Sequence, residues 1–411
     1  MTDFYDERES RSPEQRHNEL TREVRGQLAH AKANAQAYGE LFKEIDVSGI
    51  ESLEDLESLP VTRKSELLEL QRQNPPFGGF TAIRDGQLDH IFVSPGPIFE
   101  PQTHRPDYWR FARSLFAVGI RSGDRVHNSF SYHMTPAGSM FNTGCHALGA
   151  TVIPGGVGQT EQQLEAIASL RPIGYSGTPS FLKILFDKAD ELGVDIGCIS
   201  KALVSGEAYP PSIRAEFTAR GVFALQCYGT ADLGLIAYES SDESGLIIDE
   251  DIYIEIVRPG TGNRVPDGEV GEVVATTLNP DYPLIRFATG DMSAIMSGTS
   301  PCGRTNRRIK GWMGRADQTA KVRGMFIHPE QIGQIVDKHP EIRRARLVVD
   351  WVNQADAMTL HCESDTVDST LAEAIANSIR ECCKVRGDVK LVDPGSLPND
   401  GVVIEDIRKY D

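Results

Sequence analysis

From His90 to Thr230 the chain repeats one pattern. A short apolar run ending in Gly, Ser or Pro is followed by a longer segment whose apolar residues fall three and four apart. The runs are "HIFVS", "DRVHNSF", "GATVIPG", "PIGYSG", "KALVSG" and "VFALQCYG"; the longer segments include "DYWRFARSLFAVG", "TEQQLEAIASL" and "TPSFLKILFDKADELG". Strand and helix in alternation predict an α/β fold with a largely parallel sheet, whose loops gather at the carboxyl edge where ligands bind. After about residue 240 the texture becomes period-two alternation with "PG" and "DG" turns, as in "LIIDEDIYIEIVRPGTGNRVPDGEVGEVVATTL", which predicts a β-rich subdomain.

Beyond "GWMGRADQTAKVRG" the pattern predicts a compact α/β unit, with helices at "PEQIGQIVDKH" and "STLAEAIANSIRECCKV" and strands at "RARLVVD", "AMTLHCES" and "DVKLVD". The boundary is placed at Asp317, giving domains 1–316 and 317–411. Upstream, residues 13–50 read as charged helix, and Thr62 reads as the N-cap of another. "PGGVGQT" looks like a phosphate loop but lacks the lysine and serine of one. Thr160 and Gln163 instead suggest a capping box at a strand-to-helix turn.

A chain of 411 residues with 40% hydrophobic and 25% charged residues, 38 Gly and 23 Pro has the composition of a loop-rich globular protein of more than one domain. No apolar run reaches membrane-spanning length, and "MTDFYDERESRSPEQRH" resembles no targeting segment, so the expectation is a cytoplasmic protein without a membrane partner. A net charge of -17 opposes nucleic acid, because such a surface gains nothing from counterion release. Seven scattered cysteines show no metal spacing and no disulfide framework.

"IFVSPGPIFEPQTHR", residues 91–105, follows a predicted strand and has the outline of a phosphate loop without its chemistry. Pro95 and Pro97 donate no amide proton, and Glu100 stands where such a loop carries lysine. A charge pair about 4 Å apart is worth about 4 kcal/mol at an effective dielectric of 20, so reversing one sign there should weaken triphosphate binding strongly.

Four further stretches occur in a recognisable order: "SGEAYP" at 205–210, "YGTAD" at 228–232, "PLIRFATGD" at 283–291 and "GRADQTAKVRGMFIHPEQI" at 314–332. Together they resemble the adenylate-forming enzymes of the acyl-CoA synthetase superfamily, on the phenylacetate-CoA ligase branch, over nearly the whole chain. The resemblance implies a large N-terminal domain that binds adenosine and an acyl group, and a small mobile C-terminal lid. It implies nucleotide contacts at Ser205, Gly206, Glu207, Tyr228, Gly229, Thr230, Asp232, Asp291 and Arg315, with a pivot at Asp317. Lys321 matches a lysine that acts in thioester formation. Tyr132, His133 and Met134 match the acyl-pocket segment, and His133 is also a candidate proton acceptor. A carboxylate behind a glycine turn, as in "TGD", suits the two hydroxyls of a ribose.

Three departures accompany the resemblance. Close relatives carry "SSGTTGKP" where this chain has "SPGPIFEP". The hydroxyl expected before the acidic residue of "YGTAD" is Ala231, and the lysine that serves adenylation is Val402. A zinc knot found in some relatives would need positions that here are Ser240, Ile247 and Cys302, so no zinc is expected. The implied cofactors are CoA and an AMP or adenosine moiety, with ATP and magnesium disfavoured. The implied partner is a small carboxylic acid or its acyl thioester, and a homodimer is left open. The expected function is that of a ligase-like enzyme on an aryl or acyl acid or its activated derivative. Two alternatives stand beside it: an ATP-independent acyl-CoA or acyl-adenylate transferase or hydrolase, and a non-catalytic acyl-nucleotide-binding protein.

Overall fold

The computed structural model of the protein describes residues 3–83, 85–241, 244–257, 262–316, 319–327, 329–352, 355–366, 368–398 and 403–408. The chain divides into two compact units, Met1–Met313 and Gly314–Asp411.

The first unit is built on a nine-stranded sheet. Five of its strands run parallel in the spatial order Thr151–Pro154, Arg125–Asn128, Gly174–Gly177, Lys201–Val204 and Phe223–Thr230. The helices that connect them begin and end where the sequence supplies the chemistry. Helix Pro179–Leu192 has proline in its first turn, and the Thr178 hydroxyl accepts from Phe181 N. Its C-cap is Gly193 at φ 66, a left-handed conformation that glycine takes without strain. The "PGGVGQT" turn departs from expectation. Helix Thr160–Leu170 starts behind Gln159 at φ 51 with no side-chain cap. The Gln163 amide instead donates to the Gly156 and Gly158 carbonyls, and its oxygen lies 2.7 Å from His127 Nε2, so it braces the turn.

Part of the expected β-rich subdomain belongs to this same sheet. Strands Gly234–Glu239, Leu246–Ile248, Arg308–Ile309 and Ile295–Met296 extend it in antiparallel fashion. The rest forms a four-stranded sheet, Thr62–Arg63, Phe287–Ser293, Gly271–Thr277 and Ile252–Val257. Thr62 therefore pairs in a strand with Phe287, and is not the cap of helix Lys64–Gln73, whose N-cap is Arg63. Ile252–Val257 is buried on both faces although it alternates, because its inward polar residue Glu255 is held by Arg264 and Arg286.

"IFVSPGPIFEPQT" folds as a two-stranded hairpin, Leu88–Ser94 with Ile98–Thr103, in which Ser94 pairs with Ile98 across residues 95–97. In the second unit a four-stranded sheet orders Asp388–Val392, Ala355–Ser364, Ile342–Val352 and Ile404–Asp406 beside helices Pro329–Lys338 and Ser369–Cys383. Its core includes Leu347, Val349, Leu360, Ile375 and Ile379. Ile404–Asp406 is a parallel strand absent from the sequence reading. A separate hairpin, Ala320–Val322 with Met325–Ile327, carries Lys321.

Candidate nucleotide and acyl site

Strand Phe223–Thr230 delivers Tyr228, and the neighbouring sheet delivers Asp291 on strand Phe287–Ser293. The Tyr228 hydroxyl donates to Asp291 Oδ2 at 2.8 Å, and Trp312 Nε1 donates to Oδ1 at 3.1 Å. Gly290, at φ 75, lets the backbone turn just before Asp291. The carboxylate, 8% exposed, is thus oriented through both oxygens, and a carboxylate can accept more bonds than these two. Trp312 escaped the sequence reading; its signal was an indole N–H three residues before "RAD" that needed a partner.

At the carboxyl end of strand Lys201–Val204, Ser205 Oγ donates to the Cys227 carbonyl at 2.8 Å, which joins the "SGEAYP" segment to the strand leading to Tyr228. Gly206 is exposed at φ 84. Glu207 is exposed yet engaged, since its Oε1 accepts from Ser180 N at 2.6 Å in the first turn of helix Pro179–Leu192. There it also suits the positive end of the helix dipole.

Past Tyr228 the chain turns through Gly229 and Thr230, whose Oγ1 accepts from Leu233 N at 3.2 Å, and through Ala231 to Asp232. Asp232 is 3% exposed and forms an ion pair with Lys64, the first residue of helix Lys64–Gln73. Glu100 is close by and wholly buried, and it accepts from Ser94 Oγ. Burial pushes its carboxyl up to about 8, with the Asp232 charge adding to the rise and Ser94 and Lys64 opposing it. Glu100 Oε2, Asp232 Oδ1 and the Tyr282 hydroxyl have no hydrogen-bond partner among the described residues. The sequence reading places at Glu100 a charge that repels a triphosphate. The structure turns that side chain inward, because its strand position faces the core and Ser94 meets it there.

Tyr132, His133 and Met134 are exposed on one loop. The Tyr132 hydroxyl accepts from Asn128 Nδ2 at 2.8 Å, and the Met134 carbonyl accepts from Val93 N at 2.8 Å, which ties the loop to the hairpin. His133 N donates to Ser131 Oγ. In the second unit, Arg315 and Lys321 both lie over the Phe326 ring, at 5.5 and 5.7 Å from its centroid. Asp317 and Val402 lie outside the described residues.

Among the described residues no three His, Cys, Asp or Glu side chains converge as metal ligands. Burial alone would raise the Cys302 thiol, but hydrogen bonds with Ser240, Ser300 and Arg304 outweigh it and hold it below its ordinary value. No helix among these residues is long and apolar enough to cross a membrane.

Two family models match the chain: AMP-binding enzyme over residues 117–279, and AMP-binding enzyme C-terminal domain over residues 324–404. It is 30% identical over 409 residues to the phenylacetate-coenzyme A ligase of Thermus thermophilus, covering 90% of this chain and 91% of that one. It is 31% identical over 354 residues to the enzyme of that name from Aromatoleum evansii, covering 82% and 79%. A crystal structure of 2-hydroxyisobutyryl-CoA ligase, in complex with 2-HIB-AMP and CoA in the thioesterification state, superposes with a TM-score of 0.85 at 25% identity, covering 98% of this chain and 92% of that one. The chain belongs to the adenylate-forming, AMP-binding enzymes, among the phenylacetate-CoA ligase-like members.

Proposed function

We propose that the protein acts on an aryl or acyl carboxylic acid, or on its CoA or AMP derivative, with a nucleoside seat that is kept and a triphosphate grip that is reduced. Asp291 accepts the ribose hydroxyls, while Ser205, Gly206, Glu207 and Tyr228 flank the purine. Tyr132, His133 and Met134 border the acyl group. Residues 317–411 serve as the lid, turning on Asp317, with Arg315 near ribose or phosphate and Lys321 bringing its ammonium to the acyl carbonyl when the CoA thiol attacks.

The observation that carries this reading is the pairing of Asp232 with Lys64 beside buried Glu100. In adenylation the carboxylate attacks the α-phosphorus and pyrophosphate leaves, so developing negative charge must meet fixed donors or cations. Here the acidic residue on that side is already neutralised from within, and a magnesium ion at Asp232 would compete with an ammonium already in place. The hairpin contributes two prolines and a buried acid where donors are needed. The same observation favours a second reading, in which the acyl group arrives already activated. CoA carries an adenosine of its own and fits the same seat.

The test is ATP–pyrophosphate exchange across a panel of aryl and short acyl acids, with thermal shifts for AMP, ATP and CoA. A ligand at 100 times its Kd stabilises by about 2.7 kcal/mol. AMP and CoA should stabilise the protein, and exchange should be feeble. Brisk exchange with any acid overturns the reduced triphosphate grip, and an unchanged melt with every nucleotide overturns the nucleoside seat.

A further inference from the structure

Inside the C-terminal unit a cavity of about 390 Å³ is lined by Arg323, Arg380 and Arg386. Arg380 stands in the last turn of helix Ser369–Cys383, and Arg386 lies in the link to strand Asp388–Val392. Arg323 occupies the turn between Ala320–Val322 and Met325–Ile327. The end of one helix and the link that follows it thus meet a hairpin turn more than fifty residues away, and each brings arginine to one hollow. Gly387 lets the link pack closely on the core beneath the hollow, since a Cβ there would come within 2.8 Å of Met358 Cε.

Two of these arginines have no carboxylate partner among the described residues. Elsewhere in the unit Arg343 pairs with Asp365, Arg346 with Glu405, and Arg408 with Asp356 and Asp406. Among the described residues no carboxylate lies within ion-pair distance of Arg380 or Arg386. Arg323 is placed by Asp356, which accepts from its backbone N at 2.7 Å through Oδ2 and from its Nε at 3.0 Å through its carbonyl. Those bonds hold Arg323 at φ 49, a conformation few side chains adopt unaided. In a chain of net charge -17, a hollow whose lining includes three arginines and one acidic residue, Asp388, has a local excess of positive charge that favours anions. Planar forks of this kind match phosphate oxygens bidentately.

We propose that this cavity binds a phosphate monoester or diphosphate group. The group belongs either to the phosphorylated end of CoA or to free phosphate or pyrophosphate. The assignment does not rest on the adenosine seat of the N-terminal unit.

The test is titration calorimetry on the full chain, wild type and the double variant Arg380→Gln/Arg386→Gln, with CoA, dephospho-CoA, sodium pyrophosphate and adenosine. Both arginines are exposed, so the variant should melt with the wild type; if it does not, Arg386→Gln alone replaces it. A loss of tenfold or more for CoA, with dephospho-CoA unchanged, supports the site and names the bound source. A tenfold loss for pyrophosphate, with CoA and dephospho-CoA unchanged, supports it and names the free anion. Equal binding of CoA and pyrophosphate by both proteins, or binding of neither by the wild type, overturns it. Adenosine carries no phosphate and reports only on the N-terminal seat, so its failure to bind would count against that reading alone.

Discussion

Tyr228 and Asp291 stand on strands of two different sheets, and the Tyr228 hydroxyl bridges them at 2.8 Å. With Trp312 on its other oxygen, the Asp291 carboxylate is aimed before any ligand arrives. Replacing Asp291 with asparagine presents an N–H₂ group to donors that need an acceptor. Losing hydrogen bonds to a charged group costs about 2 kcal/mol, about thirtyfold in affinity for AMP. Tyr228→Phe keeps the ring and loses only the bridge, so it should weaken AMP by severalfold at most. Calorimetric titration with AMP checks both, and equal losses in the two variants would show that Asp291 acts only through the bridge.

Glu100 makes stability depend on pH. Its carboxyl is raised from an ordinary 4.5 to about 8, by burial first and then by Asp232, so the folded state holds a proton that the unfolded chain has released. Stability therefore falls as pH rises from about 4.5 to about 8, and levels off above that. Asp107, pushed up to about 7 mainly by burial, contributes with the same sign. The difference between Glu100→Gln and wild type isolates Glu100. In urea unfolding from pH 5 to pH 9, the variant should show the shallower decline and should be the more stable protein at pH 9. Parallel curves would show that Glu100 does not hold the proton.

Lys64 neutralises Asp232 from 168 residues away. Lys64→Met leaves a buried carboxylate unpaired, which costs about 3 kcal/mol, the lower end for a buried pair because the Lys64 side chain keeps some access to water. Adding Asp232→Asn should recover most of that loss, since a neutral amide no longer needs the cation. Denaturant midpoints of the two single variants and the double variant decide it. Additive losses would show that the two residues stabilise the fold separately.

This pair also marks where sequence reading stops. The parallel strands were legible because each coincides with a short apolar run ending in or beside Gly, Ser or Pro, and Ser205 because its segment follows the end of one of them, whereas Tyr228 and Asp291 lie within their strands and were named through the family resemblance. Lys64 was invisible, because one lysine at the start of a helix gives no sign of a partner in a distant turn. Thr62 read as a helix cap, since its strand is only two residues long and exists through pairing with Phe287. The inward direction of Glu100 depends on strand register, which a one-residue slip reverses and which "SPGPIFEP" does not disclose. Trp312 and the strand Ile404–Asp406 were likewise fixed by contacts remote in sequence.

Placing a lysine at position 100 tests the proposed weak grip on triphosphate. Because the side chain at 100 is buried within reach of the Asp232 charge, Glu100→Lys alone brings a second ammonium near Asp232, and like charges in one buried site repel. One of them has to leave, and Lys64, already partly exposed, is the one with water within reach. A released Lys64 adds a cation beside the hairpin, so ATP should bind the variant at least tenfold more tightly while adenosine binds as before. On the proposed reading pyrophosphate exchange should still be weak, since position 402, where the family resemblance implies a lysine for adenylation, holds valine. Adding Val402→Lys should then raise exchange well above either single variant. If Glu100→Lys tightens adenosine as much as ATP, the gain lies in the fold and not in the phosphates. If the double variant exchanges no faster than Glu100→Lys, position 402 plays no part in the chemistry.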